Sequence, residues 1–392
     1  MTATVPSRIR AIELPPFDPL NLRAADLRAA GHDVISLGQA LPFYGPPPSA
    51  LAAARAALAT PEVNIYSTDP GMPALRSALA DRLRVFGITA SADDIMITAG
   101  ANHAFTLALT TLVDPGDEVV LPAPYFTNHQ MAVAALGAIP IEAPVSDRAT
   151  SSVRWADIEP HLGRRTRAVV LCSPSNPAGA VLDPAEGRRI VDELARRDIV
   201  VLSDETYMQF VYGGDHWSAA SAPEWRRNVV VVGTFSKSFG MMGWRVGFLV
   251  ADASVCAQAV KIQDAMIICA PVISQMAALG AVSEDWDYPA SFHADLLERR
   301  AALAGGVRAI PQLHWTPTNA GFFGFVRVDG CRDSTALAES VLEEAHVVTI
   351  PGAAFGESGE GHLRLSYGAV GTADVTEAMR RLAAYFERHR PD

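Results

Sequence analysis

Residues 229–247 read Val229-Val230-Val231-Val232-Gly233-Thr234-Phe235-Ser236-Lys237-Ser238-Phe239-Gly240-Met241-Met242-Gly243-Trp244-Arg245-Val246-Gly247. The opening run is apolar without alternation, which predicts a strand buried on both faces, as in a parallel sheet. Lys237 then falls at the strand's mouth among the hydroxyl residues Thr234, Ser236 and Ser238. A lysine there is desolvated, its pKa falls, and its neutral amine becomes nucleophilic. The Thr234 and Ser236 hydroxyls and the Arg245 guanidinium together suit a dianionic phosphate. The competing source of a phosphate-binding lysine is a P-loop. No G-x-x-x-x-G-K-[ST] occurs in the chain.

Outward from this stretch, short apolar runs alternate with amphipathic ones from about residue 46 to 280. Strands are expected at Ile95–Thr98, Glu118–Leu121, Ile139–Glu142, Ala168–Cys172, Val200–Ser203, Val229–Gly233 and Val246–Val250. Helices are expected at Ala104–Val113 and Ala185–Arg197. The second opens with Asp183-Pro184-Ala185-Glu186, an Asp cap, Pro at the first helical position and Glu at the third. The alternation implies an α/β fold, a mainly parallel seven-stranded sheet covered by helices, whose ligands bind beyond the carboxyl ends of the strands. The tail changes character: helix around Leu296–Arg308, strand at Phe322–Val328, helix at Ser334–Ala345. The expected organisation is an N-terminal arm at 1–45, a large domain at 46–280 and a smaller α+β domain at 281–392 that the arm joins. Pro46-Pro47-Pro48 reads as a rigid turn between arm and large domain.

Several polar residues lie just past predicted strand ends. Asp204, in Ser203-Asp204-Glu205-Thr206-Tyr207, either pairs with a protonated pyridine nitrogen or caps the next helix. Tyr207 and Asn176, the latter in Ser175-Asn176-Pro177-Ala178-Gly179, are donors suited to a phenolate oxygen; an ordinary turn is the alternative for Asn176. Gly100-Ala101-Asn102 allows a tight turn into a helix whose unpaired N–H groups face an anion. Tyr125 either stacks on a planar ring or packs in the core, and Tyr66 sits in a loop. Arg364, in His362-Leu363-Arg364-Leu365-Ser366, alternates with leucines and needs an anionic partner, a substrate carboxylate or a structural acid. A Schiff-base lysine, a phosphate cradle and a ring-nitrogen acid describe pyridoxal 5'-phosphate.

Composition narrows the class. The 392 residues are 49% hydrophobic and 19% charged with net charge −11, from 32 Lys+Arg against 43 Asp+Glu. The mean hydropathy is +0.15. These values predict a well-packed soluble protein, and no Lys/Arg block suggests a nucleic-acid face. Cys172, Cys256, Cys269 and Cys331 contain no C-x-x-C pair and read as reduced thiols. With no signal-peptide pattern and no apolar run of about 18 residues, a cytoplasmic protein without membrane contact is expected.

Taken in this order and spacing, Leu37-Gly38-Gln39, Tyr66, Gly100-Ala101-Asn102, Tyr125, Ser175-Asn176-Pro177, Asp204-Glu205-Thr206-Tyr207, Ser236-Lys237 and Arg364 resemble the class I/II aminotransferase family of fold-type I pyridoxal-phosphate enzymes. The resemblance implies a homodimer with shared active sites. It implies that Lys237 carries the cofactor and moves the Cα proton, that Asp204 pairs with the ring nitrogen, and that Asn176 and Tyr207 bond the phenolate oxygen. Tyr125 would stack on the ring. Gly100, Ala101, Asn102, Thr234, Ser236 and Arg245 would form the phosphate site, with Tyr66 reaching it from the neighbouring subunit. Arg364 would take the substrate α-carboxylate beside Gly38. The chain departs from the pattern at Met266-Ile267-Ile268-Cys269-Ala270-Pro271, which lacks the cation a second carboxylate needs. His129 either lines the pocket or sits on the following helix, and Met241-Met242 reads as core filler. The activity implied is transfer of an amino group between an α-amino acid, not a simple dicarboxylate, and a 2-oxo acid. Alternatives are β/γ-elimination, replacement or cyclisation of an amino acid such as S-adenosylmethionine, and a non-enzymatic sensor.

Overall fold

The computed structural model describes residues 4–147 and 149–389. Its central sheet has seven strands in the spatial order Ile95–Thr98, Gly247–Val250, Val229–Thr234, Val200–Asp204, Thr166–Cys172, Glu118–Ala123 and Ile139–Pro144. Gly247–Val250 runs antiparallel to both of its neighbours, and the remaining pairs are parallel.

The uninterrupted valines are explained by what lies on each face. Val229 and Val231 point into one hydrophobic cluster, with Leu75, Leu79, Ile190 and Trp225, while Val230 and Val232 point into another, with Phe105, Leu109 and Cys256. Successive strand residues face opposite ways, so a strand between two helical layers must be apolar at every position. Each such valine is essentially solvent-free, and its burial stabilises the fold by about 1.5–3 kcal/mol.

A third cluster surrounds a four-stranded antiparallel sheet built from Leu313–His314, Phe323–Val328, Ile350–Pro351 and His362–Ser366. Leu20, Ala24 and Leu27, on one stripe of the helix Phe17–Ala29, bury in it. Ile35 and Ser36 pair in parallel with Val347 and Val348. The beginning and end of the chain therefore share one core, with the central sheet threaded between them.

Helix boundaries differ from the sequence reading for physical reasons. The helix expected at Ala104 begins at Ala101, behind Gly100 at φ 90°. Its apolar pattern starts later because its first turn faces a cavity. The Asp183 carboxylate accepts from the N–H groups of Ala185 (2.9 Å) and Glu186 (3.0 Å), as the cap signature requires. The Glu186 carboxylate instead accepts from the Trp155 N–H, 2.8 Å. Helix Val272–Glu284 runs through residue 280, and its uniform composition carries no signal of a break there.

A Cβ at Gly247 would lie 2.7 Å from the Gly233 carbonyl oxygen and 2.8 Å from Gly100 Cα. Both obstacles are backbone. Gly247→Ala should therefore destabilise the protein by about 1–3 kcal/mol, the usual cost of overpacking, read as a lower urea midpoint. An unchanged midpoint would show that the three strands are not in van der Waals contact there.

Candidate active site

The antiparallel strand assembles the site. Thr98 pairs with Gly247, and Gly247 pairs with Thr234, so these three residues form a row across three strands. The loops leaving Thr98 and Thr234 and the loop entering Gly247 must then meet at one sheet edge. Those loops carry Gly100-Ala101-Asn102, Ser236-Lys237 and Arg245.

The phosphate-type cradle sits there. Ala101 and Asn102 open a 12-residue helix, so their N–H groups lack intrahelical acceptors. The Ser236 N–H donates to Thr234 Oγ1 (3.1 Å), and the two hydroxyl oxygens lie 3.0 Å apart. Arg245 adopts a left-handed φ of 50°. Its guanidinium donates to the Met242 carbonyl at 2.8 Å and the Ala99 carbonyl at 3.3 Å. A Cβ at Gly100 would lie 2.5 Å from Arg245 Nη2. Gly100 thus does not line the cavity; it makes room for the arginine that does.

Lys237 Nζ donates to the Ala40 carbonyl, 2.8 Å. Burial, and after it the charges of Arg364 and Arg245, lowers its ammonium pKa to about 8. Asp204 Oδ2 meets His129 Nε2 at 3.0 Å, and Oδ1 accepts the Thr206 N–H at 3.0 Å. Burial raises the Asp204 pKa, but the His129 hydrogen bond and the Thr206 N–H outweigh it and hold the carboxyl below its ordinary range. His129 lies on the helix Thr127–Leu136, buried behind Asp204 and stacked on Phe105 at 4.4 Å. It orients the acid and does not line the cavity. The pairing of His129 with Asp204 joins residues 75 apart in sequence and has no local signature. Burial pushes the Tyr207 hydroxyl pKa far up, which keeps it a proton donor.

Arg364 is 3% exposed. Its Nη1 donates to Asn176 Oδ1 at 2.9 Å and its Nη2 to the Gly38 carbonyl at 2.5 Å, while Nε has no partner among the described residues. With its oxygen committed, the Asn176 amide nitrogen is the group left to donate. Burial lowers the Arg364 pKa to about 10. The guanidinium sits among Phe17, Phe323 and Phe355 at 5.6, 5.5 and 5.1 Å. Neutral acceptors alone leave a buried cation undercompensated.

These groups converge on one cavity of about 400 Å³. Gly38, Ala101, Asn102, Asn176, Asp204, Tyr207, Thr234, Ser236, Lys237, Arg245 and Arg364 all line it. Besides Gly100, two expected residues do not. Tyr125 turns away: its N–H donates to the Phe355 carbonyl at 3.0 Å, and its ring lies against Gly356. Phe126 lines the cavity in its place, because neighbouring residues of extended chain face opposite sides. Tyr66 is 73% exposed and away from the cavity of its own chain. Sequence reasoning also missed Phe17, Asp18 and Asn21 of the N-terminal helix, which close the cavity's other side. Their place at the cavity joins distant segments of the chain and leaves no local signal in the sequence. The residues fit pyridoxal phosphate: an anion cradle, a low-pKa amine and an ionised acid stand around one void.

The family model for aminotransferase class I and II matches residues 32–382. An aspartate aminotransferase of Pyrococcus abyssi is 32% identical over 91% of this chain and 92% of its own length. A valine–pyruvate aminotransferase of Mycobacterium tuberculosis is 32% identical over 95% and 96%. The structure of aspartate aminotransferase from Thermus thermophilus with maleate superposes with a TM-score of 0.91 at 27% identity, covering 98% of this chain and 100% of that one. The chain belongs to the class I and II aminotransferase family. It is a pyridoxal-phosphate-dependent aminotransferase of the fold-type I architecture.

The lowered Lys237 pKa has a stability consequence for cofactor-free protein. Between about 8 and the ordinary 10.5, the unfolded chain holds a proton that the folded one has lost, so stability rises with pH across this window. Urea melts at pH 7.5 and 9.5 should show the wild type gaining stability relative to Lys237→Met as pH rises. A constant difference would mean that the amine is not desolvated.

Proposed function

We propose that the cavity transfers an amino group between an α-amino acid and a 2-oxo acid in two ping-pong half-reactions, with the substrate α-carboxylate on Arg364. The observation that carries this reading is the buried Arg364 guanidinium with no carboxylate partner among the described residues. A bidentate carboxylate would complete its coordination. When bound, pyridoxal phosphate supplies a conjugated ring that accepts the electron pair left at Cα. The cradle of Ala101, Asn102, Thr234, Ser236 and Arg245 would hold its phosphate. Asp204, fixed by His129, would keep its ring nitrogen protonated. Asn176 and Tyr207 would donate to its phenolic oxygen, and Phe126 would cover one ring face. Lys237, with an amine near neutrality, is the group positioned to anchor the cofactor and to take and return the Cα proton.

Residues around the site bear on substrate and assembly. Met266–Pro271 contains no Arg or Lys, so we infer a substrate that is not a simple dicarboxylate, although several relatives are named for aspartate. Ile65 and Tyr66, and Met266 and Ile267 at the end of the helix Ala253–Ile267, are exposed apolar residues. Gln263 ties the loop to the helix Ala253–Ile267 through the Asp69 carbonyl. Exposed apolar side chains on these two linked segments fit a homodimer interface, with Tyr66 serving the partner's phosphate cradle. Among the described residues no helix is long and apolar enough to cross a membrane. We assign the enzyme to the cytoplasm on its four unpaired cysteines. The helix Val272–Glu284 would belong wholly to a large domain beginning near residue 46, with the arm and tail forming the smaller one.

Adding amino acids one at a time to holoenzyme, while recording absorbance and assaying 2-oxo acid, tests the reaction. Conversion to the pyridoxamine form with one equivalent of 2-oxo acid is expected, and a 2-oxo acid should reverse it. Loss of a β- or γ-substituent without either product would replace transamination by elimination. Arg364→Lys should lower kcat/KM of both half-reactions by about 10- to 100-fold, the loss of a buried charge-assisted hydrogen bond of about 1.5–3 kcal/mol. An effect on only one half-reaction would move the shared carboxylate site elsewhere.

The shared site is tested by mixing Lys237→Ala with Tyr66→Phe subunits. Each heterodimer should contain one site with both native residues, giving activity above the sum of the parents. With subunit exchange verified and Tyr66→Phe impaired alone, no gain would mean that each site is built within one chain.

A further inference from the structure

His103 is half-buried behind the phosphate-type cradle and has no part in the proposed reaction. It is the third residue of the helix Ala101–Leu112, whose first two residues line the cavity. Its Nδ1 lies 3.1 Å from the Ala99 nitrogen and accepts that N–H. Nδ1 therefore carries no proton, and the neutral ring holds its proton on Nε2. Nε2 is buried with no partner among the described residues. Burial lowers the imidazole pKa, which favours the same neutral form.

The residue that His103 holds is one the cradle depends on. Ala99 follows the strand Ile95–Thr98, and its carbonyl accepts from Arg245 Nη2 at 3.3 Å. Gly100 comes next, at φ 90°, with no side chain to restrict rotation. The bond from the Ala99 N–H to His103 closes a ring that contains the Ala99 carbonyl and Gly100, so neither turns freely. His103 thus reaches Arg245, which lines the cavity, through a single residue.

A side chain at the third helical position that turns back to the backbone is a common cap, usually Glu or Gln. Helix stability accounts for an acceptor there. It does not account for one without charge, because an acid would accept the same bond and complement the helix dipole as well. The first turn contains no acid. A carboxylate there would stand beside the N–H groups and guanidinium offered to a phosphate dianion, and like charges repel. Imidazole accepts the bond and leaves the positive end of the helix undiminished.

We propose that His103 is a positioning residue for the cofactor phosphate: its neutral Nδ1 fixes Ala99, and through it Arg245 and the Gly100 turn, while adding no negative charge to the anion site. The assignment rests on the reading that this cradle holds the phosphate.

Full-chain protein freed of cofactor is titrated with pyridoxal phosphate and with pyridoxal, which lacks the phosphate, and each Kd is read from absorbance. Wild type should hold pyridoxal phosphate the more tightly. His103→Leu removes the acceptor and should weaken pyridoxal phosphate by about tenfold, on the scale of one hydrogen bond, with pyridoxal little changed. His103→Gln, a neutral acceptor, should restore wild-type affinity for both. His103→Glu keeps an acceptor and adds a charge; it should match His103→Gln in urea midpoint yet lose affinity for pyridoxal phosphate alone. A role confined to capping the helix would weaken both ligands alike in His103→Leu and leave His103→Glu at wild-type affinity, and either result overturns the proposal. Equal affinity of wild type for the two ligands would instead remove the phosphate from the cradle, and the proposal with it. Should His103→Leu not fold, the comparison of His103→Gln with His103→Glu decides.

Discussion

Everything at this site depends on a backbone register: Thr98, Gly247 and Thr234 lie abreast across three strands. One antiparallel strand between two parallel ones brings three loop ends to a single edge. A fully parallel arrangement would need a long crossover between Val229–Thr234 and Gly247–Val250, and Arg245 would lose its place beside Lys237. The close packing that this register demands leaves no room for a side chain at Gly247 or Gly100. Backbone geometry therefore positions both the helix N–H groups and the guanidinium before any ligand arrives.

The electrostatics of the cavity arise from burial against that frame. Lys237 and Arg364 are cations that the protein removes from water and satisfies, among the described residues, with carbonyl and amide oxygens. Their lowered pKa values express that cost. Asp204 is the counter-case, a buried acid kept ionised by an imidazole and a backbone N–H. Undercompensated cations and one fixed anion make a cavity preorganised for anionic ligands with a basic ring.

The position of Arg364 reflects the chain's unusual threading. Its strand belongs to the four-stranded sheet, its hydrogen-bond partners Gly38 and Asn176 come from the arm and from a loop after the central sheet, and an aromatic ring of the N-terminal helix lies beside it. A single side chain thereby links three remote parts of the sequence, and the cavity exists only because the arm packs with the tail.

Local chemistry made much of this legible in the sequence. The seven strands were readable because strands covered on both faces must be apolar throughout, and the Asp183 cap because its residues act within one turn. Lys237, Asp204, Asn176 and Arg364 announced themselves as polar groups where strands end or leucines flank them. Tertiary structure alone decided which of two adjacent aromatics, Tyr125 or Phe126, faces the cavity, since a one-residue phase in extended chain reverses the side. It alone paired His129 with Asp204 and brought Asp18 and Asn21 to the site, because those contacts join distant segments and leave no periodic trace. Residue type fixes what a group can do; only the path of the backbone fixes what it meets.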